Sequence, residues 1–392
     1  MTRKMKDSGI EWIGEIPEDW KLSKIKYVTK CFDGRRIPVD ASLRIDGIYP
    51  YWGAGSIQGY VNDYIFDEEI VLLGEDGAPF FDKTRDVAFL INEKIWVNNH
   101  IHVLKGTLIK NEYLVYFLNI VDYTDYINGS ILNKLTQGNM KSISIVYPPT
   151  RDQINIIELL KEKTSKIEEM KITINKEIQT LEEYKKSVIT EAVTKGLDKN
   201  VEMKDSGIEW IGEIPKHWKL PSSKYHINIF NGSDPKSDGD IPVYGSGEGI
   251  FKYSREYKIG PAVLLGRKGT IEIPKYIEGK YWNVDTAFDV KPKKTLNIKY
   301  YYYLSKIFDY KKYITSTALP SMTKDNYANM RIPYPCFEEQ NEIEDYLDKK
   351  TKIIDETITA KQKQLEILEE YKKSLIYEYV TGKKEVEDVG TI

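Results

Sequence analysis

One 18-residue stretch occurs twice in this chain, and it constrains the fold more than any other feature of the sequence. Residues 5–22 read MKDSGIEWIGEIPEDWKL, and residues 203–220 read MKDSGIEWIGEIPKHWKL. Only two pairs of positions differ between the copies: Glu18 and Lys216, Asp19 and His217. A match of this length indicates an internal duplication, which predicts two equivalent structural units.

The composition limits the class of protein. The 392 residues are 41% hydrophobic and 30% charged, which is typical of a globular protein with room for two or three domains. No apolar run approaches the ~18 residues of a membrane span, and the N-terminal residues lack the apolar core of a signal peptide. The two cysteines, Cys31 and Cys336, lie far apart. We therefore expect a reduced, cytoplasmic protein with no membrane partner and no structural zinc.

Residues 22–150 have the pattern of a compact α+β module. Short β-type runs at residues 69–73, 87–91 and 101–104 are separated by glycines, and residues 112–121 form a helical patch. The last β-type run ends at Pro148-Pro149, because proline cannot donate to a strand ladder.

Two segments that follow the modules predict long helices. Residues 151–195 and 338–382 are rich in Glu, Lys and Ile, and they share the motif LEEYKKS. Apolar residues at intervals of 3, 4 and 7 form one stripe on each helix, which is typical of helices that pair with each other. The predicted seam residues are Ile167, Met170, Ile174, Ile178, Leu181 and Val188 in the first helix, and Ile354, Ile358, Leu365, Leu368 and Leu375 in the second. Lys361 departs from this pattern at the position of Ile174. About 40 residues at ~1.5 Å each give a rod of ~60 Å.

The second module repeats the first loosely but in order. VLLGEDG at 71–77 corresponds to VLLGRKG at 263–269, and NGSILNKLTQGN at 128–139 corresponds to TSTALPSMTKDN at 315–326. The chain therefore divides into six segments: joint 1–22, module 23–150, central helix 151–200, repeated joint 201–220, module 221–337, and C-terminal helix with tail 338–392.

The order of these segments predicts an α+β fold. It consists of two tandem-duplicated α/β modules, separated by two long antiparallel coiled-coil-like helices in a pseudo-two-fold circular arrangement. A parallel helix pair would need a long return connection, for which residues 196–207 leave room. The repeated stretch predicts an apolar clasp at the end of each helix, formed by Trp12, Ile13, Ile16 and Trp20 in one joint and Trp210, Ile211, Ile214 and Trp218 in the other.

No catalytic constellation is evident in the sequence. It contains no GxGxxG or GxxxxGK[ST] phosphate loop and no HExxH motif. His100 and His102 could share one face of a strand as metal ligands, but no third ligand is evident nearby, so structural histidines are favoured. We expect no catalytic residues and no metal site in this chain.

The signals for nucleic-acid binding are stronger. Residues 22–150 carry 13 Lys and Arg against 15 Asp and Glu, a net charge of −2, whereas residues 221–337 carry 18 against 11, a net charge of +7. The turn GRKGT at 266–270 suits a basic probe of a DNA groove, although an ordinary exposed turn explains it equally well. Its counterpart at 74–77 is acidic, and a carboxylate could accept from cytosine N4. The candidate DNA-binding residues are Arg267, Lys268, Thr270, Tyr244, Ser246, Ser321 and Lys324 in the second module, and Glu75, Asp76, Lys134, Gln137 and Asn139 in the first.

The joints, the two LEEYKKS helices and the Asp152-Gln153 and Glu339-Gln340 helix starts resemble the specificity subunit of type I restriction–modification enzymes. The resemblance covers essentially the whole chain and implies that each module is a target recognition domain for one half of a bipartite, asymmetric DNA site. It implies that the helices set the spacing and dock two modification subunits, with restriction subunits joining the larger complex. S-adenosylmethionine, ATP and Mg would belong to those partners, so no cofactor is expected in this chain.

Two other interpretations compete with this one. The chain could be a duplicated coiled-coil scaffold with two peptide-binding modules and no DNA, which the acidic first module slightly favours. The basic turn and the family resemblance argue against it. A self-sufficient restriction enzyme is excluded for this chain because nuclease and methyltransferase motifs are missing from the sequence.

Overall fold

The computed structural model describes residues 3–82, 84–127, 133–293, 295–314 and 320–386. The chain forms two compact units, of which the first combines Met1–Ile174 with Lys363–Ile392 and the second is Asn175–Gln362. Parts of the two predicted matching loops, 128–132 and 315–319, and the tail 387–392 lie outside the described residues. No helix in the described part of the chain is both long enough and apolar enough to cross a membrane.

In its described residues, the first unit contains a four-stranded sheet, a three-stranded sheet, two two-stranded sheets and several helices. Its strands are β1 (Met5–Asp7), β2 (Glu15–Pro17), β3 (Lys21–Lys24), β4 (Thr29–Cys31), β5 (Tyr49–Trp52), β6 (Ile57–Val61), β7 (Ile70–Gly74), β8 (Ala88–Ile91), β9 (Trp96–Val97), β10 (Ile101–Gly106) and β11 (Ser144–Tyr147). Its helices are α1 (Ile25–Val28), α2 (Asn111–Leu118), α3 (Gln137–Ser142) and the start of α4 (Thr150–Lys195). An antiparallel sheet has the order β4-β10-β7-β8, and a smaller sheet has the order β6-β5-β9. Strands β1 and β2 form a hairpin, and β3 pairs with β11.

Strand β7 is buried along its whole length because both faces of its sheet are covered. Val71 and Leu73 belong to the core cluster that includes α2, whereas Ile70 and Leu72 belong to a second cluster with Phe66. Successive side chains of a strand point to opposite faces, so a continuous apolar run such as IVLL serves both clusters.

The second unit repeats this plan. Its strands are β12 (Met203–Asp205), β13 (Glu213–Pro215), β14 (Ile227–Phe230), β15 (Ile241–Tyr244), β16 (Ile250–Ser254), β17 (Lys258–Ile259), β18 (Ala262–Gly266), β19 (Lys275–Ile277), β20 (Lys280–Asn283) and β21 (Ala287–Pro292). Its helices are the end of α4, α5 (Ile298–Ser305), α6 (Lys324–Asn329) and the start of α7 (Phe337–Val380). The order β14-β21-β18-β19 matches the main sheet of the first unit, and the smaller sheet has the order β16-β15-β20-β17. The predicted tandem duplication is confirmed.

Within each unit, α4 and α7 run antiparallel, as predicted. Ion pairs between the helices fix the direction, since a residue later in α4 pairs with a residue earlier in α7. In the first unit Lys171 lies 2.7 Å from Glu369, and Lys372 lies 2.9 Å from Glu168. In the second unit the corresponding pairs are Lys185 with Asp355 and Lys361 with Glu177.

The helix seam differs from the predicted stripe at one residue. Met170 is 54% exposed and lies outside the seam, whereas the Lys171 side chain is 24% exposed. The buried and half-buried positions follow alternating steps of four and three, which is the coiled-coil repeat, and the first step of four from Ile167 leads to Lys171. The apolar stem of this lysine packs in the seam while its ammonium group reaches Glu369. The other predicted seam residues are buried or half-buried.

The two joints are apolar clasps, as predicted, and each receives the end of one long helix. Ile16 and Trp20 are almost completely buried, and so are Ile214 and Trp218. The two pairs of residues that differ between the joints are all exposed. The joint residues are therefore structural.

Two buried tyrosines from the modules complete the clasps. In the first unit the Tyr113 hydroxyl lies 2.8 Å from the Val380 carbonyl at the end of α7. In the second unit the Tyr300 hydroxyl lies 3.3 Å from the Val193 carbonyl near the end of α4. Since helix ends leave carbonyls without intrahelical donors, each tyrosine ties its module to a helix end.

Candidate nucleic-acid interface

The turn that follows β7, here called the module-1 turn, comprises residues 75–77. The amides of Glu75 and Asp76 donate to the His100 carbonyl at 3.0 and 3.4 Å, and the Gly77 amide donates to the Asn133 carbonyl at 2.9 Å. Gly77 has a φ of 71°, a left-handed conformation that favours glycine. Hydrogen bonds to His100 on one side and to Asn133 on the other therefore fix the backbone of residues 75–77.

The turn that follows β18, the module-2 turn, comprises residues 267–269 and has the same backbone frame. The amides of Arg267 and Lys268 donate to the Thr286 carbonyl at 2.7 and 3.4 Å, and the Gly269 amide donates to the Pro320 carbonyl at 2.9 Å. Gly269 has a φ of 77°. Acidic and basic side chains therefore occupy equivalent positions on one frame.

A second loop lies beside each turn. Asp76 forms a β-bridge with Lys134, and Lys268 forms the equivalent bridge with Ser321. Residues that are more than fifty positions apart in the sequence are thus neighbours in both modules. The structure confirms that the two matched loop pairs seen in the sequence correspond to each other.

The acidic side chains of the module-1 turn are paired with cations. Glu75 lies 2.6 Å from Arg36, and Asp76 lies 3.0 Å from both Lys134 and His100. Burial pushes the pKa of Asp76 upward, but the hydrogen bonds and charges of His100 and Lys134 outweigh it and lower that pKa. Both carboxylates are therefore held in fixed positions by the cations beside them.

A buried polar layer lies beneath this turn. His102 is fully buried, with Nδ1 2.7 Å from an Asp33 carboxylate oxygen and Nε2 2.8 Å from the Leu135 carbonyl. Asp33 also accepts from the Val103 amide and the Gln137 side-chain amide, each at 2.9 Å. Burial raises the pKa of Asp33, but the hydrogen bond and charge of His102, together with these two amides, hold it well below its usual range.

Glu75 and Arg36 belong to the same layer. Sequence reasoning did not place either of them near His100 or His102. Ligand atoms of Asp33, Glu75 and His102 lie within 4.8 Å of one another, a spacing compatible with a metal ion. The Arg36 guanidinium already lies between the carboxylates, 3.5 Å from Asp33 and 2.6 Å from Glu75. Both nitrogens of His102 are engaged with oxygens, so this layer is a neutralised ion-pair network and does not fit a metal. The exposed His100 instead faces Asp76.

The module-2 turn carries a basic side chain without a carboxylate partner. The Arg267 guanidinium lies 5.8 Å from the centre of the Phe288 ring and donates to the Asp285 carbonyl at 3.3 Å. Among the described residues, no carboxylate oxygen lies within 4 Å of it. The Lys268 side chain is 45% exposed and 3.9 Å from the Asp285 carboxylate. Both cations are thus available to an external acceptor.

The remaining candidate residues of the second module differ in their burial and in their contacts with this turn. Ser246 is largely buried beneath Gly269, and its amide donates to the Thr286 hydroxyl at 3.3 Å. Tyr244 packs against a small apolar cluster, while Thr270 and Lys324 are exposed. Among the contacts of the described residues, none joins Lys324 to the turn.

Two of the first module's candidates have structural contacts. The Asn139 side-chain amide donates to the Tyr126 carbonyl at 2.7 Å, and its counterpart Asn326 donates to the Tyr313 carbonyl at 3.0 Å. Gln137 lies in the buried layer and bonds Asp33. Their part in DNA recognition stays a prediction.

Sequence reasoning missed three residues of these sites. Arg36 and Asp33 lie in the segment after β4, far from the module-1 turn in sequence, and Lys275 donates to the Gly245 carbonyl at 2.8 Å beside the module-2 turn. Burial lowers the pKa of Lys275. The basic pair in GRRIP at 34–38 is the only signal that could have drawn attention to Arg36.

The two modules share one loop frame and present opposite charges on it, so the chain is an internally duplicated protein. The sequence profile of the type I restriction modification DNA specificity domain matches residues 17–180 and 226–367, and the chain belongs to this family.

Relatives of the chain share this family. A putative type I restriction enzyme specificity subunit from Haemophilus influenzae is 26% identical over 349 residues, covering 84% of this chain and 87% of that protein. The type I restriction enzyme MjaVIII specificity subunit from Methanocaldococcus jannaschii is 25% identical over 422 aligned positions, covering 96% and 95%. A chain in a solved structure of the type I R-M system has the same fold, with a TM-score of 0.70 at 13% identity over 94% of this chain and 99% of that one.

Proposed function

We propose that this chain is the DNA specificity subunit of a type I restriction–modification complex and that each module reads one half of a bipartite, asymmetric site. One observation carries this proposal. The module-1 and module-2 turns have the same backbone hydrogen bonds, yet they carry Glu75 and Asp76 in one case and Arg267 and Lys268 in the other. A conserved frame with exchanged side chains is what two readers of different base sequences require.

The chemistry of the two turns supports different base preferences. Arginine and lysine donate in pairs to guanine O6 and N7, so Arg267 would favour a guanine in its half-site. Carboxylates only accept, so Glu75 and Asp76 would favour the exposed amino group of cytosine. The two half-sites would therefore differ in sequence, which makes the whole site asymmetric.

The partners follow from the same proposal. Double-stranded DNA is the ligand, two modification subunits dock on the long helices, and restriction subunits join the larger complex. The helices set the spacing between the half-sites. The chain has no catalytic centre or cofactor of its own, and methylation with base flipping takes place in the modification subunits.

A non-DNA adaptor is the second candidate. Such an adaptor would use the same helices. It would not need Arg267, which is half-buried and has no carboxylate partner among the described residues, on one of two equivalent turns. The family to which the chain belongs favours DNA.

The isolated chain should bind its DNA weakly. Its net charge is −3, and Arg36 and Lys134 beside the module-1 turn are already paired with carboxylates, so the chain alone can neutralise few phosphates. We expect fluorescence anisotropy at fixed salt to show tight, sequence-selective binding only when the modification subunit is added. Tight, selective binding by the chain alone would contradict the proposed division of labour.

A further inference from the structure

The hydrogen bonds of His102 identify its protonation state. Nε2 faces the Leu135 carbonyl at 2.8 Å, and a carbonyl can only accept, so Nε2 carries a proton. Nδ1 faces the Asp33 carboxylate at 2.7 Å. Burial raises the pKa of Asp33, but its hydrogen bonds to His102 and to the Val103 and Gln137 amides lower that pKa well below its usual range, so Asp33 is ionised and accepts here as well. Both ring nitrogens therefore donate, and His102 is an imidazolium.

An imidazolium at His102 also places a positive charge beside the carboxylates of this layer. Asp33, Glu75 and Asp76 contribute three negative charges, while Arg36 and Lys134 contribute two positive charges. A buried imidazolium supplies the third. The other titratable groups that face this layer from packed elements are Cys31 from β4, His100 beside Asp76, and Lys141 from α3, which bonds Gln137.

The His102 ring contacts three segments of the first module. Its Nδ1 lies 2.7 Å from Asp33 and 3.6 Å from Glu75, and its Nε2 bonds the Leu135 carbonyl. The Leu135 amide in turn donates to the Glu75 carbonyl at 2.8 Å. The ring therefore ties the segment after β4 and the loop 133–137 to the module-1 turn.

The equivalent position in the second module carries a different residue. His102 lies opposite Leu73 of β7, and Phe288 lies opposite Leu265 of β18. Leu73 and Leu265 are matching residues of the two VLLG segments, so His102 and Phe288 occupy equivalent positions. The aromatic face of Phe288 lies beneath the Arg267 guanidinium, which favours a cation. In each module, the residue beneath the turn therefore suits the charge of the turn. His102 lies beneath the acidic turn, and the ring of Phe288 lies beneath the basic one.

We propose that His102 is a positioning residue for DNA recognition by the first module, which as a buried imidazolium holds the acidic turn in the pose that meets the bases. Phe288 has the corresponding role beneath Arg267. This inference rests on the proposed function, because it assumes that the two turns meet DNA. It is independent of any direct contact between His102 and DNA, since this side chain is fully buried.

The protonation state can be tested on the full chain. The protein has four histidines, so ¹⁵N-labelled imidazole resonances can be assigned with His100→Gln, His217→Gln and His226→Gln variants. At pH 7 we expect the two nitrogens of His102 to show matching, protonated shifts. A neutral tautomer, with one nitrogen lacking its proton, would overturn the inference.

The positioning role is tested in the assembled complex with His102→Gln and His102→Phe. Glutamine keeps a donor for the Leu135 carbonyl but removes the charge. We expect each variant to lose about tenfold in discrimination at the half-site of the first module, the range of one good base contact, and to keep discrimination at the other half-site. Unchanged discrimination at both half-sites by folded His102→Gln would overturn the role.

These outcomes separate the inference from the proposed function. If Arg267→Ala impairs discrimination at its half-site while His102→Gln has no effect, the inference alone fails. If neither substitution changes discrimination at any position, the proposed function fails as well. Should His102→Phe prevent folding, the ¹⁵N measurement and His102→Gln still decide the matter.

Discussion

Replacing Arg267 with alanine should lower the affinity of the assembled complex for its DNA site by about 10- to 100-fold, because a bidentate arginine contact with guanine contributes about 1–3 kcal/mol. The structure presents this guanidinium above Phe288 without a carboxylate within 4 Å among the described residues, so the substitution strands no buried acid. The loss should be confined to one base position in the half-site of the second module. Competition binding with single-base variants of the site measures this directly.

Lys268→Ala is the matched control on the same turn. Its exposed ammonium is suited to a phosphate, so its removal should weaken binding to all sequences equally and reduce the salt dependence of the affinity by about one ion. A uniform loss for Arg267→Ala as well would mean that Arg267 is a phosphate contact. Wild-type affinity for every sequence would show that the module-2 turn does not meet DNA.

Gly382→Ala should be the most destabilising alanine substitution among the glycines of the joints and of the helix ends that pack on them. Gly382 has a φ of 74°, and an added Cβ would lie 2.4 Å from Pro17 Cδ and 3.3 Å from the Trp20 ring. The left-handed conformation costs about 1–2 kcal/mol for alanine and the overlap with a proline ring about 1–3 kcal/mol, together about 2–5 kcal/mol. Urea unfolding followed by tryptophan fluorescence measures the free energy of unfolding.

Two other glycines separate the backbone cost from the overlap. Gly9→Ala has the same kind of φ, 68°, with no atom within 4 Å of the added Cβ, so it should cost only about 1–2 kcal/mol. Gly196→Ala, at the end of α4 beside the second joint, should fall between them, since its added Cβ would lie 3.2 Å from Trp218 and 3.3 Å from Glu339. Equal losses for Gly382→Ala and Gly9→Ala would mean that the end of α7 does not pack on the first joint.

The order of elements in the fold could be predicted from the sequence, because the duplication predicts each element in both halves of the chain. The near-identical joints, the matched helices and the paired VLLG strands each predict an element in both halves, and the structure contains them. Helix direction could also be predicted, since the order of segments leaves a short path only for an antiparallel pair.

The details of packing could not be predicted in the same way. From Ile167 the stripe could continue in two ways. A step of three leads to Met170, which is apolar, and a step of four leads to Lys171, whose side chain is amphipathic. The structure takes the step of four to Lys171 because the lysine stem packs while its ammonium group finds Glu369. Hydropathy alone favours Met170, which is exposed.

The module-1 and module-2 turns could be predicted in part from the sequence. Glycines and charged pairs after a buried strand identified both turns, and the repeat showed that they correspond. The layer beneath the module-1 turn was not predictable, because Asp33 and His102 are 69 residues apart in sequence and meet only through the order of strands in the sheet. Pairing of Glu75 with Arg36 depends on the same topology.

The most direct test of the account is an exchange of residues 221–337 for the corresponding module of another family member, followed by mapping of the methylated DNA site in the assembled complex. We expect one half of the recognised site to change to that of the donor while the other half and the spacing stay the same. Exchange of residues 23–150 should change the opposite half. Methylation of an unchanged site after either exchange would contradict the claim that each module reads one half of the DNA sequence.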